Sequence, residues 1–116
     1  MESKQGFKPS FWGPHAWVFL HTVSLNYNPK HKAKYRSFFT KLGNVLPCKK
    51  CRENYKMHLK KYPMNEKVMK TRRSFAKWLF EIHNQTSKLL KKSYTKTFTQ
   101  TMKKYEKHRS KPKNNK

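Results

Sequence analysis

The chain has 116 residues and carries 29 Lys and Arg against five Glu and no Asp, a formal net charge of +24. That length accommodates one hydrophobic core and excludes an enzyme with separate cofactor and substrate domains. Three glycines cannot build a G-x-G-x-x-G or Walker A loop, and five scattered carboxylates are too few for paired-carboxylate catalysis or a Mg²⁺ or Ca²⁺ cage.

Aromatics make up 15% of the residues while Val and Ile together number only five, so the core is aromatic and the β-branched residues that strands need are scarce. The expectation is an all-α fold, a four-helix bundle with a short fifth helix. Residues 1–10 read as a loose polar segment, followed by a domain over 11–102 and a basic tail over 103–116. Gly13-Pro14 marks a helix entry, because proline pre-sets φ at the first helical position. Trp17, Leu20, His21 and Ser24 then recur at helical spacing and predict a helix over 14–26. Asn28-Pro29 repeats the device, with Tyr35, Phe38, Phe39, Leu42 and Val45 on one face of a second helix. Pro47 opens a third over 47–60, carrying Cys48, Cys51, Tyr55 and Leu59. Pro63 lies beyond its end. The longest pattern starts at Ser74 and runs through Phe75, Trp78, Leu79, Ile82, His83, Thr86, Leu89 and Leu90. Ser93 or Thr95 caps a last short helix with Phe98, Met102 and Tyr105 on its inner face. From Lys103 onward seven basic residues accompany a single Glu, the composition of a solvated tail. No run reaches the roughly 18 apolar residues of a membrane span, and no apolar signal core opens the chain. An unsecreted protein without a membrane segment is expected.

The two cysteines, Cys48 and Cys51, sit one turn apart at a helix start. The free N–H groups there, with Lys49, Lys50 and Arg52 alongside, favour thiolate and a redox disulfide. Half of a zinc site and a pair of small buried hydrophobes are the other readings of the same spacing. Zinc lacks its remaining ligands. A thioredoxin-like arrangement would need a βαβ unit that this composition does not offer.

Trp12-Gly13-Pro14-His15-Ala16-Trp17-Val18-Phe19-Leu20-His21 resembles the W-G-x-x-x-W-x-x-L-H opening of the Erv/ALR family of FAD-linked sulfhydryl oxidases. The proline-preceded C-x-x-C follows in order, and His83-Asn84-Gln85-Thr86-Ser87-Lys88-Leu89-Leu90-Lys91-Lys92 resembles the family's H-N-x-V-N-x-x-L-x-K. The short layout is most similar to members encoded by large DNA viruses. The resemblance implies FAD at the mouth of a helical bundle, with Cys51 against the isoalloxazine and Cys48 facing substrate. It implies that Gly13 lies at the flavin site, that Trp17 and His21 pack on and bond the cofactor, and that His83, Asn84 and Ser87 meet the adenosine. Lys92 would meet pyrophosphate or ribose, and Tyr94 would stack nearby. A dithiol plus dioxygen would give a disulfide plus hydrogen peroxide, in a homodimer acting on a thiol-containing partner protein in trans, in the host cytoplasm or the virion.

Thr86 and Ser87 stand where the family has Val and Asn, which shortens an amide contact to the adenosine. A second, relaying cysteine pair is absent from these residues, so substrate thiols are expected to reach Cys48 directly. A reading from a different class stays open beside this one: a basic helical nucleic-acid-binding protein with incidental cysteines, or at least nonspecific polyanion contact through the basic tail.

Overall fold

A computed structural model describes residues 6–91 and 96–110. Five α-helices follow in order: α1 (Pro9–Leu25), α2 (Lys32–Lys41), α3 (Lys49–Lys61), α4 (Arg72–Leu89) and α5 (Phe98–Glu106). Short 3-10 turns at Pro29–His31, Leu42–Asn44 and Val68–Lys70 link them. Among the described residues there is no strand, only one isolated antiparallel bridge between Gly6 and Cys48. The all-α expectation of four main helices and a short fifth holds.

The helix starts differ from the sequence reading for identifiable reasons. Proline at Pro9 supplies the pre-set φ for the first turn, so α1 begins five residues early and Pro14 lies inside it. Pro14 is the sixth residue of α1, past the first turn, so its missing N–H leaves Ser10 O without its i+4 helical donor. Of the segment expected to be loose over 1–10, the described residues begin at Gly6, which bridges Cys48, and Pro9 and Ser10 lie in α1. Trp12 Nε1 also donates to Phe7 O at 3.0 Å. At the other end, Lys103–Glu106 belong to α5 rather than to a tail. A Thr97–Gln100 capping box starts that helix, and beyond it Arg109 Nη2 donates to Leu25 O at 2.9 Å. The caps expected at Ser93 or Thr95 fall outside the described residues, as do Lys92 and Tyr94.

The core lies where α1, α2, α3 and α4 meet. Phe75 is fully buried, with ring centroids of Tyr27 at 4.6 Å, Phe39 at 5.2 Å and Trp78 at 5.5 Å. Truncating such a ring to Ala costs about 3–5 kcal/mol. Each polar tip in this aromatic core finds a backbone acceptor: Tyr27 OH donates to Met69 O at 2.6 Å, Trp78 Nε1 to Tyr62 O at 2.7 Å, and Tyr55 OH to Phe39 O. These bonds tie the connecting turns to the helices. The result is a rigid wall of α1 and α4 on which the cleft described next is built.

Candidate active site

The dithiol stands at the start of α3. Cys48 is the residue that caps the helix, in an extended conformation, and its Sγ accepts a hydrogen bond from the Cys51 N–H at 3.2 Å. Cys51 lies in the first turn, so the two sulfurs occupy different environments despite their closeness in sequence. Both are half-buried. The loop before them is held from two sides. Phe7 N–H donates to Pro47 O at 2.6 Å, and Arg52 Nη1 donates to Leu46 O at 2.6 Å. Gly6 is required at this contact: its φ is +86°, and a Cβ there would stand 2.4 Å from Pro47 O.

The sequence led us to expect both thiols to be shifted toward thiolate. For Cys51 the structure reverses this, with its pKa pushed up to about 12, first by burial and then by the hydrogen bond and charge of Cys48. The Cys51 backbone N–H and the Arg52 charge pull the other way and do not offset the burial. Of the pair, Cys48 is the sulfur that accepts a hydrogen bond from the helix start.

A cleft of about 530 Å³ opens beside Cys51 between α1, α3, α4 and α5. Cys51 lines it and Cys48 does not. Gly13, Trp17, His83 and Ser87, all expected at the site from sequence, come together on its walls. At Gly13 nothing lies within 4 Å of where a Cβ would be, so the helix presents bare backbone to open space. Trp17 and His83 stack with ring centroids 3.9 Å apart and planes 7° from parallel. His21 is buried behind this wall rather than on it. Its Nε2 lies 2.9 Å from His83 Nδ1, and burial followed by the His83 charge lowers its pKa to about 3. It therefore holds His83 in orientation as a neutral ring. Asn84, one residue past His83, is half-buried and does not line the cleft.

Sequence reasoning missed Asn54 on α3, and Lys96, Lys104 and Tyr105 at the far side, all of which line the cleft. Tyr105 was legible only as an inner-face residue of a short helix. Lys104, its neighbour, looked like any other charge in a basic run. Among the described residues no group of His, Cys and carboxylate side chains could hold a metal ion. No described helix is long and apolar enough to cross a membrane.

Comparison with known proteins points the same way. The Erv1 / Alr family model matches residues 14–111. A probable FAD-linked sulfhydryl oxidase of Acanthamoeba polyphaga mimivirus is 45% identical over 80 residues, 66% of this chain and 56% of the relative. An FAD-linked sulfhydryl oxidase of Arabidopsis thaliana is 29% identical over 84 residues, 69% of this chain and 42% of the relative. A mitochondrial FAD-linked sulfhydryl oxidase of Saccharomyces cerevisiae is 24% identical over 84 residues, again 69% of this chain and 43% of the relative. The chain spans about half the length of the curated relatives it matches.

Proposed function

The chain belongs to the Erv1/Alr family, and from that premise we propose that it is an FAD-linked sulfhydryl oxidase. It forms disulfides in protein thiols through Cys48 and Cys51, and the electrons pass to dioxygen to give hydrogen peroxide. The observation that carries this reading is the position of the dithiol, with Cys51 on the wall of an aromatic cleft and Cys48 off it.

The residues present suit FAD. A cleft of about 530 Å³ is within the usual range for bound small molecules, roughly 300–1,000 Å³. Trp12 and Trp17 supply flat apolar walls, and the bare backbone at Gly13 leaves space against α1. Lys96 and Lys104 bring ammonium groups that suit a pyrophosphate, alongside the Lys92 expected for it. Ser87 and the expected Tyr94 complete the proposed contacts to the adenosine end, whereas Asn84 stands off the cleft.

In the oxidised protein a substrate thiolate attacks Cys48 Sγ, the S–S bond to Cys51 breaks, and Cys51 leaves with the electron pair. A second substrate thiolate then attacks the substrate sulfur of the mixed disulfide. Oxidised substrate departs, and Cys48 leaves as the thiolate that the Cys51 N–H is placed to receive. Two substrate thiols have lost two electrons and two protons, and the Cys48–Cys51 pair has gained two electrons. Bound FAD supplies the two-electron acceptor chemistry that reoxidises the pair and delivers the electrons to dioxygen. His21 and Trp17 hold the His83 ring in place beside that chemistry and keep its Nδ1 side out of water.

The partner is a thiol-containing protein acting in trans. A homodimer is supported by Phe11, Val18 and Phe19, which leave an apolar stripe exposed along α1. The viral relative supports action in the host cytoplasm or the virion, and the +24 charge supports accessory polyanion contact through the basic C-terminal residues. The test is direct. Purified protein should be yellow, release FAD on denaturation, and consume oxygen when given a dithiol. A colourless protein that neither takes up FAD nor consumes oxygen overturns the reading.

A further inference from the structure

We propose that the rim around Cys48 is a docking surface for a thiol protein whose reactive cysteine is flanked by acidic and apolar residues. This rests on the oxidase reading above and names the substrate class of that same site.

Two of the most exposed large apolar side chains among the described residues stand at this rim, Phe7 at 68% and Val45 at 70%. Isolated exposed apolar residues are ordinary on protein surfaces. These two flank the Cys48 loop along the backbone. Phe7 N–H bonds Pro47 O, the adjoining Gly6 bridges Cys48, and Val45 stands three residues before Cys48. An apolar surface whose backbone is tied to that loop costs less to order when another chain binds.

Charge gives the occupant its character. Lys49 and Lys50 follow Cys48 directly and are exposed, and Lys56 lies further along α3 with the half-buried Arg52 between. Glu53 is the one carboxylate on this helix. Among the described residues neither Lys49 nor Lys50 forms an ion pair, since the three present use Glu66 and Glu106. Cations in the first turn oppose the helix dipole, so these lysines do not stabilise α3. They complement a negatively charged visitor. Nucleic acid matches the charge but brings neither a thiol for Cys48 nor apolar groups for Phe7 and Val45, whereas an acidic, apolar-flanked cysteine segment matches all three.

The test uses the FAD-loaded protein with three peptides sharing one C-x-x-C dithiol, flanked respectively by Glu and Leu, by Glu and Ser, and by Lys and Ser. Dithiothreitol runs alongside. At low salt kcat/KM should favour the Glu–Leu peptide over the Lys–Ser peptide by roughly tenfold, mainly through KM. The preference should shrink at about 1 M salt, where the screening length is about 3 Å. Lys49→Glu with Lys50→Glu should invert the ratio between the Glu–Ser and Lys–Ser peptides. Comparing two peptides on one protein cancels any change in the reactivity of the sulfurs themselves. Phe7→Ser should remove the advantage of Leu over Ser. Turnover of dithiothreitol with equal kcat/KM for all three peptides overturns the docking surface and leaves the oxidase intact. Absence of turnover even with dithiothreitol overturns the oxidase reading, and the docking proposal falls with it.

Discussion

The His21 and His83 rings, 62 residues apart in sequence, meet nitrogen to nitrogen at 2.9 Å with His21 fully enclosed. A bond between two imidazoles needs one donor and one acceptor, so it exists only while at least one of the rings is neutral. Burial settles which: His21 has its pKa lowered to about 3.

That shift makes the fold acid-sensitive. The unfolded chain protonates this ring near its ordinary value of about 6.5 while the folded one resists until about 3, so the unfolded state binds more protons throughout that window. The stability is fully present above about pH 6.5 and falls as pH drops toward 3, by about 1.4 kcal/mol per pH unit for one such group. His58, whose pKa burial and Lys61 also lower, acts with the same sign. Denaturant titrations across pH 3–7 should show this slope, and His21→Gln, which keeps a hydrogen-bonding group without the titration, should flatten it. An unchanged slope in that variant would mean another group dominates.

The two sulfurs should be separable by alkylation. In the reduced protein, iodoacetamide should label Cys48 first at mildly alkaline pH, because Cys51 is held up to about 12. In Cys48→Ala the hydrogen bond and the charge of Cys48 are gone, so the labelling midpoint of Cys51 should drop. It should remain above that of an ordinary thiol, because burial persists. Cys48→Ala and Cys51→Ala should each abolish dithiol-driven oxygen uptake. First labelling at Cys51 in the unsubstituted protein would contradict the assignment.

Gly6→Ala should release the N-terminal segment from Pro47. The left-handed backbone costs a residue with a Cβ about 1–2 kcal/mol, and the 2.4 Å approach to Pro47 O adds a clash with backbone that cannot swing away. The expected result is a lower Tm together with faster proteolysis before Pro9. A variant as resistant as the parent would show that the bridge is dispensable.

Helix α5 should be needed for the cofactor and the residues after it should not. Ending the chain after Ser110 leaves the Arg109 bond to Leu25 O and should preserve flavin content. Ending it after Gln100 removes Lys104 and Tyr105 from the cleft wall and should lose most of the flavin. Absorbance at the flavin band per mole of protein distinguishes the two outcomes.

Phe19→Glu should turn a dimer into a monomer in sedimentation, since it places a charge in the exposed α1 stripe while touching none of the buried core. A monomeric parent protein would remove the case for this stripe as a self-interface.

Much of this was legible in the sequence because helical periodicity and motif spacing are local properties. Phe75, Trp78, Leu79 and Ile82 announce the buried face of α4 four residues at a time. Trp17, Cys51 and His83 were found through short patterns whose members share one turn or one face. What escaped was set by contacts between distant segments. Nothing near Gly6 in sequence reveals that Pro47 O lies against it, and nothing near Lys104 distinguishes it from the solvated lysines beside it. The charge state of Cys51 was misread for the same reason, because burial of its sulfur is the first cause that raises its pKa, and burial is set by tertiary packing.

The placement of one sulfur on the cleft wall and the other outside it makes the dithiol a partition as well as a reagent. Under the proposed oxidase reading, electrons would cross it by exchange of bonds between sulfurs, and the molecules on its two sides would never meet. Only the cysteine of a client protein would have to touch the outer sulfur, whatever the bulk of that protein. The size of the client and the fit of the cofactor would then be decoupled, so long as the loop from Leu46 to Cys51 keeps its geometry.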